Sequence, residues 1–155
     1  MRGKQAPRRK IGNDPKHANM AVAKFINYVM KDGKKTTAQK IVYGAFDRIA
    51  EKTQKNPVEV FETAIKNVSP LLEVKSKRVG GANYQIPLQV RAERRMQLAY
   101  RWILTAARAK KGKPMMVKLS DELLLAADNQ GDAVKKKLDV QRMAEANRAF
   151  AHFAR

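Results

Sequence analysis

Arg94, Arg101 and Arg108 stand seven residues apart in a stretch whose other side repeats apolar residues at helical spacing. Seven residues of α-helix return within about 20° of the starting direction, so the three guanidinium groups line one ridge. Arg91 and Arg95 broaden it, and Glu93 is the one acidic residue expected on that face. Guanidinium is a planar fork of donors matched to phosphate oxygens, so the chemistry this pattern suits is the gripping of a phosphate backbone. The competing reading is an ordinary solvated helix face; the choice of Arg and the scarcity of counter-charge favour phosphate. Arg2, Lys4, Arg8, Arg9, Lys10 and Lys16 crowd the first sixteen residues, with Asp14 as the only acid among them. Lys34-Lys35 forms a further basic pair after Asp32-Gly33, and Lys110, Lys111 and Lys113 follow the ridge beside Gly112 and Pro114.

Catalytic and metal chemistry find few residues to work with. The chain has no cysteine and two histidines, His17 and His152. That excludes disulfides, thiolate metal sites, Fe–S clusters and cysteine nucleophiles, and it fits a reducing cytosol. Gly33-Lys34-Lys35 lacks the upstream glycine spacing of a P-loop. Gly80-Gly81 sits in a turn between apolar alternations rather than between strand and helix, so a dinucleotide fingerprint is not met. Asp121-Glu122 has no His or Ser partner, and Ser69, Ser76 and Ser120 lack the context of a triad. No enzyme, cofactor or metal site is expected.

The elements that must position these cations can be read from periodicity. Val22, Phe25, Ile26 and Val29 make a helical stripe that begins at Asn19 and stops at Asp32-Gly33. Thr36 and Gln39 predict a capping box for a second helix with a buried stripe of Ile41, Val42, Ala45, Phe46 and Ile49. Asn56-Pro57 with Glu59 starts a third, whose apolar face is Phe61, Ala64, Ile65 and Val68, and Pro70 ends it. Residues 71–90 then change period from helical to alternating. Leu72 and Val74 alternate with charges, as do Tyr84, Ile86, Leu88 and Val90 with Gln85, Pro87 and Gln89, around turn residues Gly80-Gly81-Ala82-Asn83. This predicts a β-hairpin with an apolar base and a basic tip carrying Lys75, Lys77 and Arg78. A two-stranded hairpin is marginal alone, so it should lean on something else, and Pro87 marks a free edge.

Helix resumes near Arg91 with Met96, Ala99, Tyr100, Ile103 and Ala107 as its buried stripe and Trp102 as a packing residue. A fifth helix follows, patterned by Leu119, Leu123 and Ala127, with Asp121, Glu122, Asp128 and Asp132 making an acidic neighbourhood that should face away from a polyanion. Asn129-Gln130-Gly131 predicts a left-handed glycine terminator, and Asp132 a cap for the last helix, which holds Val134, Leu138 and Lys135-Lys136-Lys137. Phe150, His152 and Phe153 pack on the bundle or on a neighbouring protein. The fold class is therefore all-α: six helices in a bundle, an inserted hairpin, and a basic N-terminal arm over residues 1–18 too poor in apolar residues to order itself. The helical domain is expected over 19–149 and a tail over 150–155.

Thirty-three Lys and Arg against fourteen Asp and Glu leave a net charge of +19 over 155 residues. Such a chain repels itself unless a polyanion neutralises it. Nucleic acid comes first and an anionic membrane second. The basic N-terminus is not followed by an apolar run, so a secretory signal is not expected, and no uncharged apolar stretch approaches the length of a membrane span. Against a DNA-binding protein, no recognition-helix pair or dimer seam is evident; against a membrane binder, the apolar stripes match one another.

Two strings carry a resemblance. Phe25-Ile26-Asn27 through Asp32-Gly33-Lys34-Lys35 to Ile41-Val42-Tyr43-Gly44-Ala45 is one; Arg78-Val79-Gly80-Gly81-Ala82-Asn83-Tyr84-Gln85-Ile86-Pro87, with Arg91, Arg94-Arg95 and Ala99 to Ile103, is the other. Together they resemble small-subunit ribosomal protein seven in its bacterial form, over essentially the whole chain. The resemblance implies six helices with the hairpin between the third and fourth, and direct binding to the 3′ major domain of small-subunit rRNA. It also implies nucleation of head assembly, a hairpin near the exit-site tRNA and the mRNA exit path, and neighbours numbered nine and eleven. Cytoplasmic location in the small subunit, without membrane contact or self-association, follows from it. On this reading the rRNA-contacting set is the arm with Lys16, Lys34, Lys35, the ridge with Arg91 and Arg95, and the lysines at 110, 111 and 113. The tRNA- and mRNA-proximal set is Lys75, Lys77, Arg78, Gly80, Gly81, Asn83 and Tyr84.

Overall fold

Asn19 opens the first helix as its sequence position predicts. In the computed structural model, which describes Gly3, Ala6 and residues 11–154, the Asn19 Oδ1 accepts hydrogen bonds from Ala21 N (2.7 Å) and Val22 N (3.4 Å) and starts α1, Met20–Val29. Asp32 and Gly33 then turn through left-handed backbone, φ 51° and 72°. That turn is tight: Lys34 N reaches Lys31 O at 2.9 Å and Lys35 N reaches Gly33 O at 2.8 Å. The chain therefore enters α2, Lys35–Thr53, with Lys34 at the cap position, and the expected Thr36/Gln39 capping box does not form because Thr36 already lies in the first turn. In α3, Pro57–Val68, the expected cap does form: Asn56 Oδ1 accepts from Val58 N (3.0 Å) while its Nδ2 donates to Glu59 (3.2 Å).

Residues 71–90 form the hairpin, β1 Leu72–Val79 and β2 Ala82–Gln89, antiparallel with Lys77 opposite Tyr84 and Arg78 opposite Asn83. Its turn is the two residues Gly80 and Gly81, both at positive φ (57° and 91°), so Ala82 and Asn83 belong to the strand. Three helices follow: α4 Ala92–Ala109, α5 Met115–Ala127 and α6 Asp132–Ala146, and then a 3-10 helix, Arg148–Ala154. The described residues are mostly helical, with seven helical segments and one hairpin.

The main core lies among α1 to α5, with α5 touching α2, α3, α4 and α6. Its centre is aromatic: Phe25 meets Phe61 at 5.1 Å and Tyr100 at 5.4 Å, and Phe46 meets Phe61 at 5.5 Å. Such tilted pairs add to the burial of four rings, the dominant stabilising contribution here. Burial pushes the Tyr100 hydroxyl up to about 12, and it donates to Ala21 O. The buried stripes agree with periodicity except at their margins. Ala38 joins α2, Leu98, Leu104 and Ala106 join α4, and Ile41 and Met96 are half-buried.

The six helices are not one equal bundle. Only Ala133 and Val134 of α6 enter the main core, while Val140 and Ala144 are buried with Leu98, Ile86 and Val90 outside it, where α4, α6 and the hairpin pack. Leu138, one of the apolar residues of the last helix, is 45 % exposed. The α5–α6 connection also departs from expectation. Asn129 takes the left-handed position (φ 57°), whereas Gly131 (φ 90°) is the residue that precedes α6. A Cβ on Gly131 would lie 3.0 Å from Glu122 Oε1 and 3.1 Å from Leu125 Cβ, so glycine is needed for close approach as well as for φ. Glu122, not Asp132, satisfies the start of α6, accepting from Ala133 N at 3.1 Å.

Before α1 the chain is seated on α2. Asp14 is buried and accepts from Lys16 N (3.2 Å), His17 N (3.0 Å) and the Tyr43 hydroxyl (2.7 Å). His17 packs edge-on against Tyr43 and Phe46. Residues 14–18 thus belong to the folded part, although they were expected in the arm. Arg2, Lys4, Arg8, Arg9 and Lys10 lie outside the described residues.

Candidate nucleic-acid interface

Helix α4 positions the arginine ridge because its opposite face is buried in the core. Along it the guanidinium groups differ. Arg94 is half-buried, its Nε 3.3 Å from Glu73 Oε2 on β1. Sequence reasoning named only Glu93 as counter-charge; Glu73 is distant in sequence and comes near the ridge because β1 and α4 both pack against α6. Arg95 Nε donates to Val90 O (2.9 Å), tying the helix to the end of the hairpin. Arg108 is exposed, and its Nη2 approaches Val29 O at the C-terminus of α1 (3.4 Å). Arg91 and Arg101 are exposed and have no side-chain partner among the described residues.

The C-terminal end of the ridge meets the α1–α2 turn. Lys31, Lys34 and Arg108 line one groove with Met30, Ile41 and Met115 on its apolar side. Lys31 was missed by sequence reasoning, though its place just before Asp32-Gly33 on a loop was the available signal. Lys35 is exposed in the first turn of α2.

The three linker lysines are unequal. Lys110 reaches the fully buried Glu122 at 2.5 Å, so its ammonium is directed inward. Lys113 is 3.9 Å from Asp121, which also binds Lys52 at 2.8 Å. The hydrogen bond from Lys52 holds the Asp121 carboxyl below the usual carboxylate range, and the charges of Lys52 and Lys113 reinforce it. Lys111 is exposed and unpartnered among the described residues. Of the acids expected on and beside α5, only Glu122 lies inside; Asp121 is half-buried and ion-paired, and Asp128 and Asp132 are exposed. Lys16, likewise, is paired with Asp47 at 2.8 Å.

On the hairpin, Lys75, Lys77, Arg78, Gly80, Gly81 and Asn83 are exposed. Tyr84 is half-buried, with its ring 4.9 Å from Phe150 and 5.7 Å from Phe153. Lys77 Nζ donates to Phe153 O at 2.9 Å. The terminal aromatics thus rest on the chain's own hairpin. The structure brings Arg91, Arg94 and Arg95 to the hairpin base, and Lys34 to Arg108. Such an array supplies positive charge to phosphates from several separate elements.

Comparison with known proteins agrees. The family model for ribosomal protein S7p/S5e matches residues 1–148. The small ribosomal subunit protein uS7 of Thermotoga maritima is 60 % identical over 153 residues, covering 99 % of both chains. The proteins of the same name from Alkaliphilus metalliredigens (58 % over 147 residues, 95 % of this chain and 94 % of the relative) and Cupriavidus metallidurans (55 % over 152 residues, 98 % and 97 %) are similar. With a cationic surface mounted on a helical core, and a match that runs through nearly all of its length, the chain belongs to the ribosomal protein S7p/S5e family.

Proposed function

We propose that the chain is a primary rRNA-binding protein of the small ribosomal subunit that binds the 3′ major domain of 16S-type rRNA and nucleates assembly of the head. In this reading the hairpin lies near the exit-site tRNA and the mRNA exit path, and the neighbours are small-subunit proteins nine and eleven. The protein is a structural component of the ribosome, not an enzyme, and acts in the cytoplasm during translation. The observation that supports it best is the set of exposed cations without side-chain partners among the described residues: Lys34, Lys35, Arg78, Arg91, Arg101 and Lys111. They sit on separate elements, as gripping several backbones at an RNA junction requires, rather than on one helix suited to a DNA major groove.

Filter binding tests this with junction RNA, duplex DNA and anionic vesicles at two salt concentrations. Junction RNA should bind tightest at both, with log K falling by about 0.7–0.9 per phosphate neutralised for each unit of log salt. Equal affinity for duplex DNA would contradict an RNA-specific role, and tightest binding to vesicles would move the cationic surface to membranes.

A further inference from the structure

The hairpin has two unlike faces. Residues directly opposite in an antiparallel pair share a face, and alternate residues along each strand change face. Tyr84, Ile86 and Leu88 therefore lie on one side with Lys77, Lys75 and Glu73, while Asn83 and Gln85 lie on the other with Arg78 and Ser76. The first face is held by the rest of the molecule: Ile86 is buried, Glu73 meets Arg94 of α4, and both members of the Lys77–Tyr84 pair touch the terminal 3-10 helix. On the second face Ser76, Arg78, Asn83 and Gln85, toward the tip, are exposed, while Leu72, Val74 and Pro87 nearer the base are half-buried.

We infer that the C-terminal 3-10 helix, Arg148–Ala154, is a brace that fixes the angle of the hairpin and makes it present its Arg78–Asn83–Gln85 face, and not its Lys75–Tyr84 face, to RNA. Two strands alone do not hold a fixed direction in water. Here the outer half of the hairpin is supported at one cross-strand pair by two different interactions. The Tyr84 ring lies against Phe150 and Phe153, whose own rings stack at 6.4 Å, and the Lys77 ammonium donates to the Phe153 carbonyl. The Tyr84 side of the outer hairpin is thereby held against the 3-10 helix, while toward the tip Ser76, Arg78, Asn83 and Gln85 on the opposite side stay open to a partner. Arg78 is the cation on that face, beside amides at Asn83 and Gln85 that can donate to phosphate or base edges. The inference rests on the proposed meeting of hairpin and RNA, and its two parts are tested separately.

Amide hydrogen exchange on the full-length chain tests the brace. In Phe150→Ala/Phe153→Ala, hairpin amides of 75–86 should exchange at least tenfold faster than in the unmutated protein, with amides of α1 to α5 unchanged. Phe153→Leu, which keeps apolar area, should stay within about threefold. Trp102, the one tryptophan and a residue packed on the main core, reports whether the bundle itself remains folded. Unchanged hairpin exchange in the double variant would overturn the brace. The chain has no cysteine, so Gln85→Cys and Lys75→Cys each provide a single attachment point for an iron chelate. In reconstituted small subunits, RNA cleavage from position 85 should exceed that from position 75 at least fivefold. The contrast should collapse when Phe150→Ala/Phe153→Ala is added. Equal cleavage from both positions in the braced protein would overturn the assignment of faces. Absence of cleavage from either would instead sink the hairpin's proposed place against RNA, and the exchange result would still decide the brace.

Discussion

Arg101 and Lys110 were read alike from the sequence, and the structure separates them. Arg101 is exposed and unpartnered among the described residues, so Arg101→Ala should lower the salt slope of RNA binding by about one unit while thermal unfolding stays unchanged. An unaltered slope would show that the ridge is merely hydrated there. Lys110 instead satisfies a carboxylate with no exposure to water, and removing one partner of a buried pair leaves the other charge stranded. Lys110→Met should therefore destabilise the fold by about 3 kcal/mol and barely change the salt slope. The double variant Lys110→Met/Glu122→Gln should recover much of that loss, because the amide oxygen can still accept from Ala133 N. Denaturant titration of both variants checks this; equal loss in both would place the cost in the lysine stem instead. Asp121 adds a pH dependence of known sign. Its folded carboxyl titrates below its usual range, so the stability it supplies is complete above the ordinary carboxylate value and is lost as pH falls through the folded one. Asp121→Asn should flatten that part of the acid unfolding curve, measured by Tm against pH, by an amount typical of a surface pair, about 0.2–1 kcal/mol. Sequence alone could not sort these lysines, because Glu122 and Asp121 meet them only after α5 has packed.

At the scale of elements, local signals were legible wherever a side chain acts on its own helix or turn. Asn56 caps α3 as predicted, α1 begins after Asn19 where the helical pattern starts, Pro70 follows the end of α3, and Gly80-Gly81 turns the hairpin. The failures have separate causes. Thr36/Gln39 loses to the Asp32-Gly33 turn, and Asp132 loses to Glu122, a residue of another helix. Leu138 fits the apolar period of α6 and still faces outward, since that helix buries only part of its length in the main core. Periodicity reports which face is apolar, not how far along the helix a partner extends. The candidate site was legible as residue types and as a ridge, but its internal ion pairs and the tyrosine–phenylalanine contact across the hairpin were not, because their partners are far apart in sequence. Caps are a checkable contribution: Asn56→Ala should cost about 1 kcal/mol in chemical unfolding. The N-terminal segment gives the opposite case. Removing residues 2–10 takes away five of the candidate cations but leaves Asp14, His17 and their contacts with Tyr43 intact. RNA affinity should fall while Tm shifts by no more than a degree or two; a large drop in Tm would mean that those residues stabilise the fold.

For the whole molecule, a net charge of +19 acts in opposite directions on folding and on binding. The resolved ion pairs cancel part of the positive charge: Lys16 with Asp47, Lys52 and Lys113 with Asp121, Arg94 with Glu73, and Lys110 with Glu122. These pairs take up four of the fourteen acids and leave a surplus of lysines and arginines spread over several elements. Apart from the buried Lys110–Glu122 pair, these pairs contribute little, and salt weakens them. The surplus repels itself over distances comparable to the Debye length, about 10 Å at 0.1 M, so added salt relieves a strain of the whole fold. The Tm of the free protein should accordingly rise as NaCl increases from about 50 to 200 mM, within the range where screening changes most. Over the same range the affinity for junction RNA should fall about 10³-fold if about six phosphates are neutralised. RNA should also raise Tm at the lower salt, since a ligand that binds only the folded state stabilises it by mass action. Calorimetry of the free and RNA-bound protein at the two salt concentrations measures all three. A free-protein Tm that falls with salt would mean that the ion pairs outweigh the repulsion, and the charge would then be a device of folding rather than one held ready for a polyanion.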